Sequence, residues 1–323
     1  MKQILNTVQL YLLGILFVFS LDSCINDDLS GCMTEKRVYF DYPETYTQSG
    51  INPNDITRMD LFIFDQDGTF LTEVTDESPQ MGPDYYMTVS NLKQGFYKFI
   101  AWGNLKDQYS VFPATPIKGE MSVDDLEVHL NKIKDGLVTE TLQPLFFATH
   151  KNENMLEVTS MGRQDFHLGM VQNTYKINVE ISGIDALALE ENNFRVTISD
   201  NNGKYKFDND FASCEKFNYT QPCHRKDELT NDIVTSLTVM RLAEGREPVI
   251  QIINENTDQV LTTDNLVELI LTASEAQGVK VDFSRQFEFN IRYELDWTTP
   301  MQYIIYINDW KIVRQEDGNL ISY

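Results

Sequence analysis

The sequence predicts an all-β protein: two tandem antiparallel β-sandwich domains behind a cleaved amino-terminal leader. Three observations lead there. Short runs of Val, Ile, Phe, Tyr and Thr recur between Gly, Asn and Asp turns. Thr174–Ile181 alternates strictly between apolar and polar residues, the pattern of a strand with one face on a core and one in water. No long amphipathic helix competes with these segments, and no nucleotide-binding βαβ pattern occurs.

The leader comes first. Lys2 precedes an apolar stretch from Val8 to Leu21, the form of a secretory signal. The stretch is interrupted by Gln9 and stopped by Asp22, whereas a membrane-spanning helix needs about 20 predominantly apolar residues. Leu21-Asp22-Ser23-Cys24 resembles a lipobox, departing from it at Asp22, and sets residues 1–23 as the signal peptide. Cys24 then becomes an acylated first residue, each buried acyl CH₂ contributing about 0.8 kcal/mol to membrane attachment. The alternative is an ordinary thiol left after conventional cleavage. Asp27 and Asp28 follow at once, and this acidic pair resembles the surface-export signal of Bacteroidetes lipoproteins, implying the outer face of the outer membrane.

In the first predicted domain, residues 24–168, the strands are Arg37–Tyr42, Arg58–Asp65, Thr69–Val74, Tyr85–Val89, Phe96–Trp102 and Leu145–Thr149. Asp67-Gly68 marks a hairpin turn between the second and third. Ser122–Leu130 has weak helical periodicity. A second series opens near Met170, giving a domain over 169–323. Its strands are Thr174–Ile181, Phe194–Ser199, Tyr205–Phe207 after the turn Asn201-Asn202-Gly203, Ser236–Leu242, Val249–Ile253, Val267–Ala273, Phe287–Tyr293 and Gln302–Ile307.

Composition narrows the chemistry. Removing residues 1–23 takes away one base, Lys2, and one acid, Asp22, so the net charge of −23 is unchanged. Such a surface repels phosphates and lacks the basic footprint of nucleic-acid binding. Cys214 and Cys223 are spaced for a disulfide closing a loop of about ten residues, worth roughly 2 to 3 kcal/mol. Cys214, Cys223 and His224 as zinc ligands are the other reading, but the spacing fits no standard finger and no fourth ligand is evident. Cys32 has no assigned partner. Asp65-Gln66-Asp67-Gly68 and Asp200-Asn201-Asn202-Gly203 begin like calcium loops but lack the later bidentate acid, and read as turns. His129, His150, His167 and His224 form no metalloenzyme motif, no GxSxG elbow occurs, and no catalytic residue is nominated. Phe62, Phe64, Phe99 and Trp102 fall at strand positions and read as core rather than as a ligand platform.

Several segments together resemble the FimB-type, fimbrillin-related family of Bacteroidetes fimbrial anchor and minor-subunit lipoproteins. They are Cys24 with Asp27-Asp28-Leu29-Ser30-Gly31-Cys32, Leu61–Asp65 with Asp67-Gly68, Leu92–Asn104, Pro144–Phe147 and Tyr303–Trp310. The resemblance implies two transthyretin-like sandwiches in tandem and assembly with other fimbrial subunits by strand exchange, in which an added strand gains main-chain hydrogen bonds. In the stalk subunits of that family an arginine-specific cut removes the first strand. Here Pro43–Thr57 contains neither Arg nor Lys, which favours an uncut anchor, while Arg58 at its edge leaves a stalk role open, and a tip adhesin of the same system is a further alternative. The expected protein is therefore a non-enzymatic anchor at the base of a fimbrium, with no cofactor beyond the lipid on Cys24 and a carboxyl-terminal strand within Gln302–Val313 offered to a neighbour. The competing reading is a surface glycan-binding lipoprotein; any host receptor is unassigned.

Overall fold

The strand-forming segments become four β-sheets in the computed structural model, which describes residues 35–42, 53–131, 136–150, 155–160, 162–227, 229–296, 303–314 and 320–322. Before Asn173 come β1 (Lys36–Asp41), β2 (Met59–Asp65), β3 (Phe70–Asp76), β4 (Tyr86–Val89), β5 (Gly95–Gly103), β6 (Tyr109–Phe112), β7 (Glu127–Leu130), β8 (Leu137–Val138), β9 (Phe146–Thr149), β10 (Leu156–Val158) and β11 (Gln164–Gln172). After it come β12 (Thr174–Ser182), helix α1 (Ala186–Glu191), β13 (Phe194–Asp200), β14 (Lys204–Lys206), β15 (Phe217–Pro222), β16 (His224–Arg225), β17 (Ile233–Met240) and β18 (Val249–Asn254). The chain closes with β19 (Gln259–Asn265), helix α2 (Leu266–Ala276), β20 (Glu288–Leu295), β21 (Tyr303–Ile307), β22 (Trp310–Arg314) and β23 (Leu320–Ser322).

The first sheet runs β3-β2-β5-β9-β11-β1-β4, with β10 also on β5. Leu61, Phe62, Ile63 and Phe64 of β2 are all fully buried, so this strand is covered on both faces, which is why its sequence is continuously apolar. Phe99 and Trp102 are buried beside them, as the core reading expected. The hairpin between β2 and β3 uses its acid locally: Asp65 Oδ1 accepts from Asp67 N at 3.0 Å and Thr69 N at 2.8 Å, and Gly68 supplies φ +77°. The sheet curls until its outer strands β3 and β4 approach. There Tyr85 Oη donates to Asp76 Oδ2 at 3.0 Å, and the Tyr85 ring stacks on Phe40.

The other sheets are β14-β7-β6, β19-β18-β13-β15-β8 and β16-β17-β12-β20-β21-β22-β23. The three-stranded sheet lies over the first, with Trp102 of β5 near Tyr205 of β14 at a centroid distance of 6.1 Å. The five- and seven-stranded sheets face each other: Tyr293 of β20 and Tyr303 of β21 donate to Asp264 of β19 at 3.3 and 3.1 Å. Pairing is not purely antiparallel as expected, because β1–β11, β12–β20 and β15–β8 are parallel.

The expected boundary between 168 and 169 falls inside β11; the chain changes sheets at Asn173. The segments on either side of Asn173 also exchange strands. β14 adds to β7, and β8 adds in parallel to β15.

Two local readings are corrected. Val267–Ala273 is not a strand but the centre of α2, whose Leu266, Leu269, Ile270 and Ala273 are buried on one helical face. Asn265 caps it by accepting from Val267 N and Glu268 N at 3.1 and 3.2 Å. Ser122–Leu130 is one 3₁₀ turn, Val123–Asp125, capped by Ser122, followed by β7.

Candidate anchoring and assembly site

Strand β1 is the first described element and the continuation of the segment bearing Cys24. It alternates: Val38 and Phe40 are buried, while Arg37, Tyr39 and Asp41 face outward. Both its edges are occupied, by β11 in parallel and by β4 antiparallel. On the outer face Tyr39 stands between Tyr86 of β4 and His167 of β11, with ring centroids 5.3 and 5.2 Å away. The Arg37 guanidinium lies 4.4 Å from the Tyr86 centroid and meets Glu35 at 2.6 Å. His167 meets Asp41 at 2.9 Å. Arg37 holds the Glu35 carboxyl below its usual range through their hydrogen bond, and Arg163 does the same to Asp165. At the start of the strand Lys36 is only 2% exposed, its Nζ donating to Gly162 O at 2.9 Å. Main-chain ladders, buried side chains and an outer aromatic row thus all fasten β1.

Arg58, the first basic residue after β1, is tied down as well. Its Nε and Nη2 grip both oxygens of Asp60 at 2.8 and 2.7 Å, and Nη1 meets Glu77 at 2.6 Å. Asp60 is buried and also accepts from Thr75 Oγ1 at 2.8 Å. The next residue, Met59, begins β2 and is fully buried.

At the other terminus, the strand expected within Gln302–Val313 is two strands. Asn308 and Asp309, at φ +48° and +69°, turn β21 back into β22, with Ile307 opposite Trp310. β23 then forms the margin of that sheet.

Cys24, Asp27, Asp28 and Cys32 lie outside the described residues. Cys214 and Cys223 are described and are free thiols, which corrects the expected disulfide. They flank the extended strand β15, and six extended residues span about 20 Å, far beyond disulfide reach. Cys214 Sγ instead donates to Asn201 O at 3.0 Å.

With this geometry in view, residues 29–316 match the family model for fimbrillin-A associated anchor proteins Mfa1 and Mfa2. The chain belongs to that fimbrial anchor family. Within the anchor family, the minor fimbrium anchoring subunit Mfa2 of Porphyromonas gingivalis is 23% identical over 301 residues, covering 91% of this chain and 90% of that protein. The solved structure of the fimbrial anchor protein Mfa2 from the same organism superposes with a TM-score of 0.67 at 22% identity, covering 86% of this chain and 98% of that one. A Bacteroides thetaiotaomicron protein proposed to bind polysaccharide superposes with a TM-score of 0.72 at 19% identity, covering 88% and 99%. At these identities the solved structures show the shared β-sandwich fold. Membership of that family associates the chain with cell-surface fimbriae.

Sequence reasoning for this anchor protein missed the row Tyr39, Tyr86 and His167, and a polar row on the outer face of the seven-stranded sheet formed by Asn178, Ser236 and Asn290. Alternation places each residue on an outer face. The pairings of β1 with β4 and β11, and of β12 with β17 and β20, bring them together, and nothing local in the sequence signals those partners.

Proposed function

We propose that this anchor-family protein ends or nucleates a fimbrium at the outer membrane, held there by lipid on Cys24 and joined to its neighbour by β-strand exchange. The observation that carries the reading is that β1, the strand continuous with the Cys24 segment, occupies the interior of a sheet and is bonded on both edges. Residues 25–35 separate Cys24 from Lys36, a tether of at most about 40 Å. A pull on the assembled fibre would therefore reach the lipid through β1.

A cut between β1 and β2 would sever that path. The sequence from Pro43 to Thr57 offers no Arg or Lys, and Arg58 is engaged by two acids at the start of a buried strand. Both features favour an uncut anchor over a processed stalk subunit. With β1 seated, the place between β11 and β4 is filled, and the carboxyl-terminal strands from Tyr303 onward, which end at a sheet margin, are the segment offered to the neighbour.

The test is Cys24→Ala in the native organism, followed by fractionation and electron microscopy. Fimbriae shed into the medium are the expected result. Fimbriae of normal length still attached to the membrane would overturn the reading.

A further inference from the structure

The outer face of the seven-stranded sheet holds a groove of about 610 Å³, walled by His224 and Lys226 on one side and by Asp309 of the β21–β22 turn on the other. Its floor is two rows set by strand register. Ser236, Asn178 and Asn290 form the first, and Glu180, Arg292 and Tyr306 the second. Ser236 Oγ donates to Asn178 Oδ1 at 2.9 Å, and Asn178 Nδ2 donates to Asn290 Oδ1 at 2.9 Å. Among the described residues, no acceptor is placed for Asn290 Nδ2.

Arg292 is the unusual member. Its guanidinium lies 3.8 Å from the Tyr306 centroid. The acids beside it on the strands are otherwise engaged: Glu180, its register partner on β12, pairs with Lys226 at 2.7 Å, and Glu294, two residues on, accepts from Tyr306 Oη at 3.1 Å. Among the described residues Arg292 has no carboxylate at ion-pair distance, in a protein of net charge −23.

We propose that this groove binds a carboxylate-bearing saccharide of the uronate type. The planar fork of Arg292 takes the carboxylate through two parallel hydrogen bonds. The amide and hydroxyl row alongside presents donors and acceptors for sugar hydroxyls. Tyr306 lies against the guanidinium and fixes its plane. A peptide fits worse, because β12, β17, β20 and β21 are paired on both edges and leave an extended chain no main-chain partners on this face. A phosphate fits worse, because Asp309 in the groove wall and Glu294 on Tyr306 penalise two charges concentrated on one group, where a uronate carries one per ring. The groove includes Tyr306 and Asp309 of the segment proposed for donation, so the titration is made on the unassembled chain, where its outcome is read apart from the anchoring role.

The test is calorimetric titration of the full chain with trigalacturonate, maltotriose and triglutamate, repeated with Arg292→Gln and Asn290→Ala. Both substitutions are at outward-facing sites, and near-UV circular dichroism checks that each variant folds. Saturable binding of trigalacturonate is expected, weakened about tenfold or more by Arg292→Gln and about threefold by Asn290→Ala, with the other two probes at least about tenfold weaker. Absence of saturable trigalacturonate binding, an affinity unchanged in Arg292→Gln, or equal binding of triglutamate overturns the proposal.

Discussion

The side-chain amides of Asn173 and Asn209 face each other head to tail in the core: Asn173 Nδ2 donates to Asn209 Oδ1 at 2.5 Å, and Asn209 Nδ2 donates to Asn173 Oδ1 at 3.1 Å. Asn173 is the crossover between β11 and β12, and Asn209 sits in the turn after β14 with φ +68°. The pair therefore fastens the point where the chain changes sheets to the strand it returns. Asn209→Ala strands a buried amide, about 1 to 3 kcal/mol, and adds about 1 kcal/mol of left-handed backbone cost. Asn209→Gly removes only the second cost. Urea unfolding of the two variants should show both destabilised, with Ala the worse. Midpoints indistinguishable from the parent protein would mean the amide pair is dispensable.

Reciprocal strand sharing predicts cooperative unfolding. β14 completes a sheet with β6 and β7, and β8 extends the sheet of β13 and β15, so neither part of the chain keeps its sheets intact if the other melts. A single thermal transition is expected, with coincident midpoints by far-UV circular dichroism and by fluorescence of the buried Trp102. Two resolved transitions would refute this.

The clamp on Arg58 predicts resistance to proteolysis. An arginine-specific protease needs an extended, accessible chain, and the bond after Arg58 leads into a fully buried Met59. Timed digestion followed by mass spectrometry should find the Arg58–Met59 bond intact in the native chain. It should be cut at least about tenfold faster in Asp60→Asn/Glu77→Gln, where the guanidinium loses both acids. Rapid cleavage of the parent chain would revive the stalk alternative.

The two thiols predict a pH effect. Burial pushes the Cys223 thiol up to about 12 from an ordinary 9.0 and raises Cys214 as well. At pH 8 only about one Cys223 in ten thousand is thiolate, so iodoacetamide should leave it almost untouched in the folded chain and label it readily in urea without reductant. The unfolded thiol ionises first. The stability contributed is thus complete below pH 9 and is lost between about 9 and 12. Comparing urea midpoints of the parent and Cys223→Ala from pH 7 to 10 checks the sign: the parent should lose more stability as pH rises. A mass 2 Da below the dithiol value before any reductant would instead establish a disulfide.

What was legible follows the range of the forces involved. The continuous apolar run of β2 and the alternation of β12 are local patterns, and both mark their strands correctly. α2 was misread because Val267–Ala273 is short, apolar and β-branched at its start, where helix and strand patterns coincide; the capping pair Asn265 and Glu268 was the available signal. The Asn308–Asp309 turn was likewise written in its residue types. The parallel placement of β1 beside β11 and the loans of β8 and β14 depend on contacts far apart in the chain, beyond the reach of any local pattern. The site divides the same way: Cys24, Asp27 and Asp28 are sequence signals, whereas the setting of Arg292 over Tyr306 needs the fold.

The curl that brings Tyr85 to Asp76 has a consequence for sideways contact between copies of the chain. A flat sheet would expose two unsatisfied borders, each a template for sideways sticking between identical molecules. Rolling β3 toward β4 brings those borders together, so this sheet offers another copy less open backbone than a flat one would.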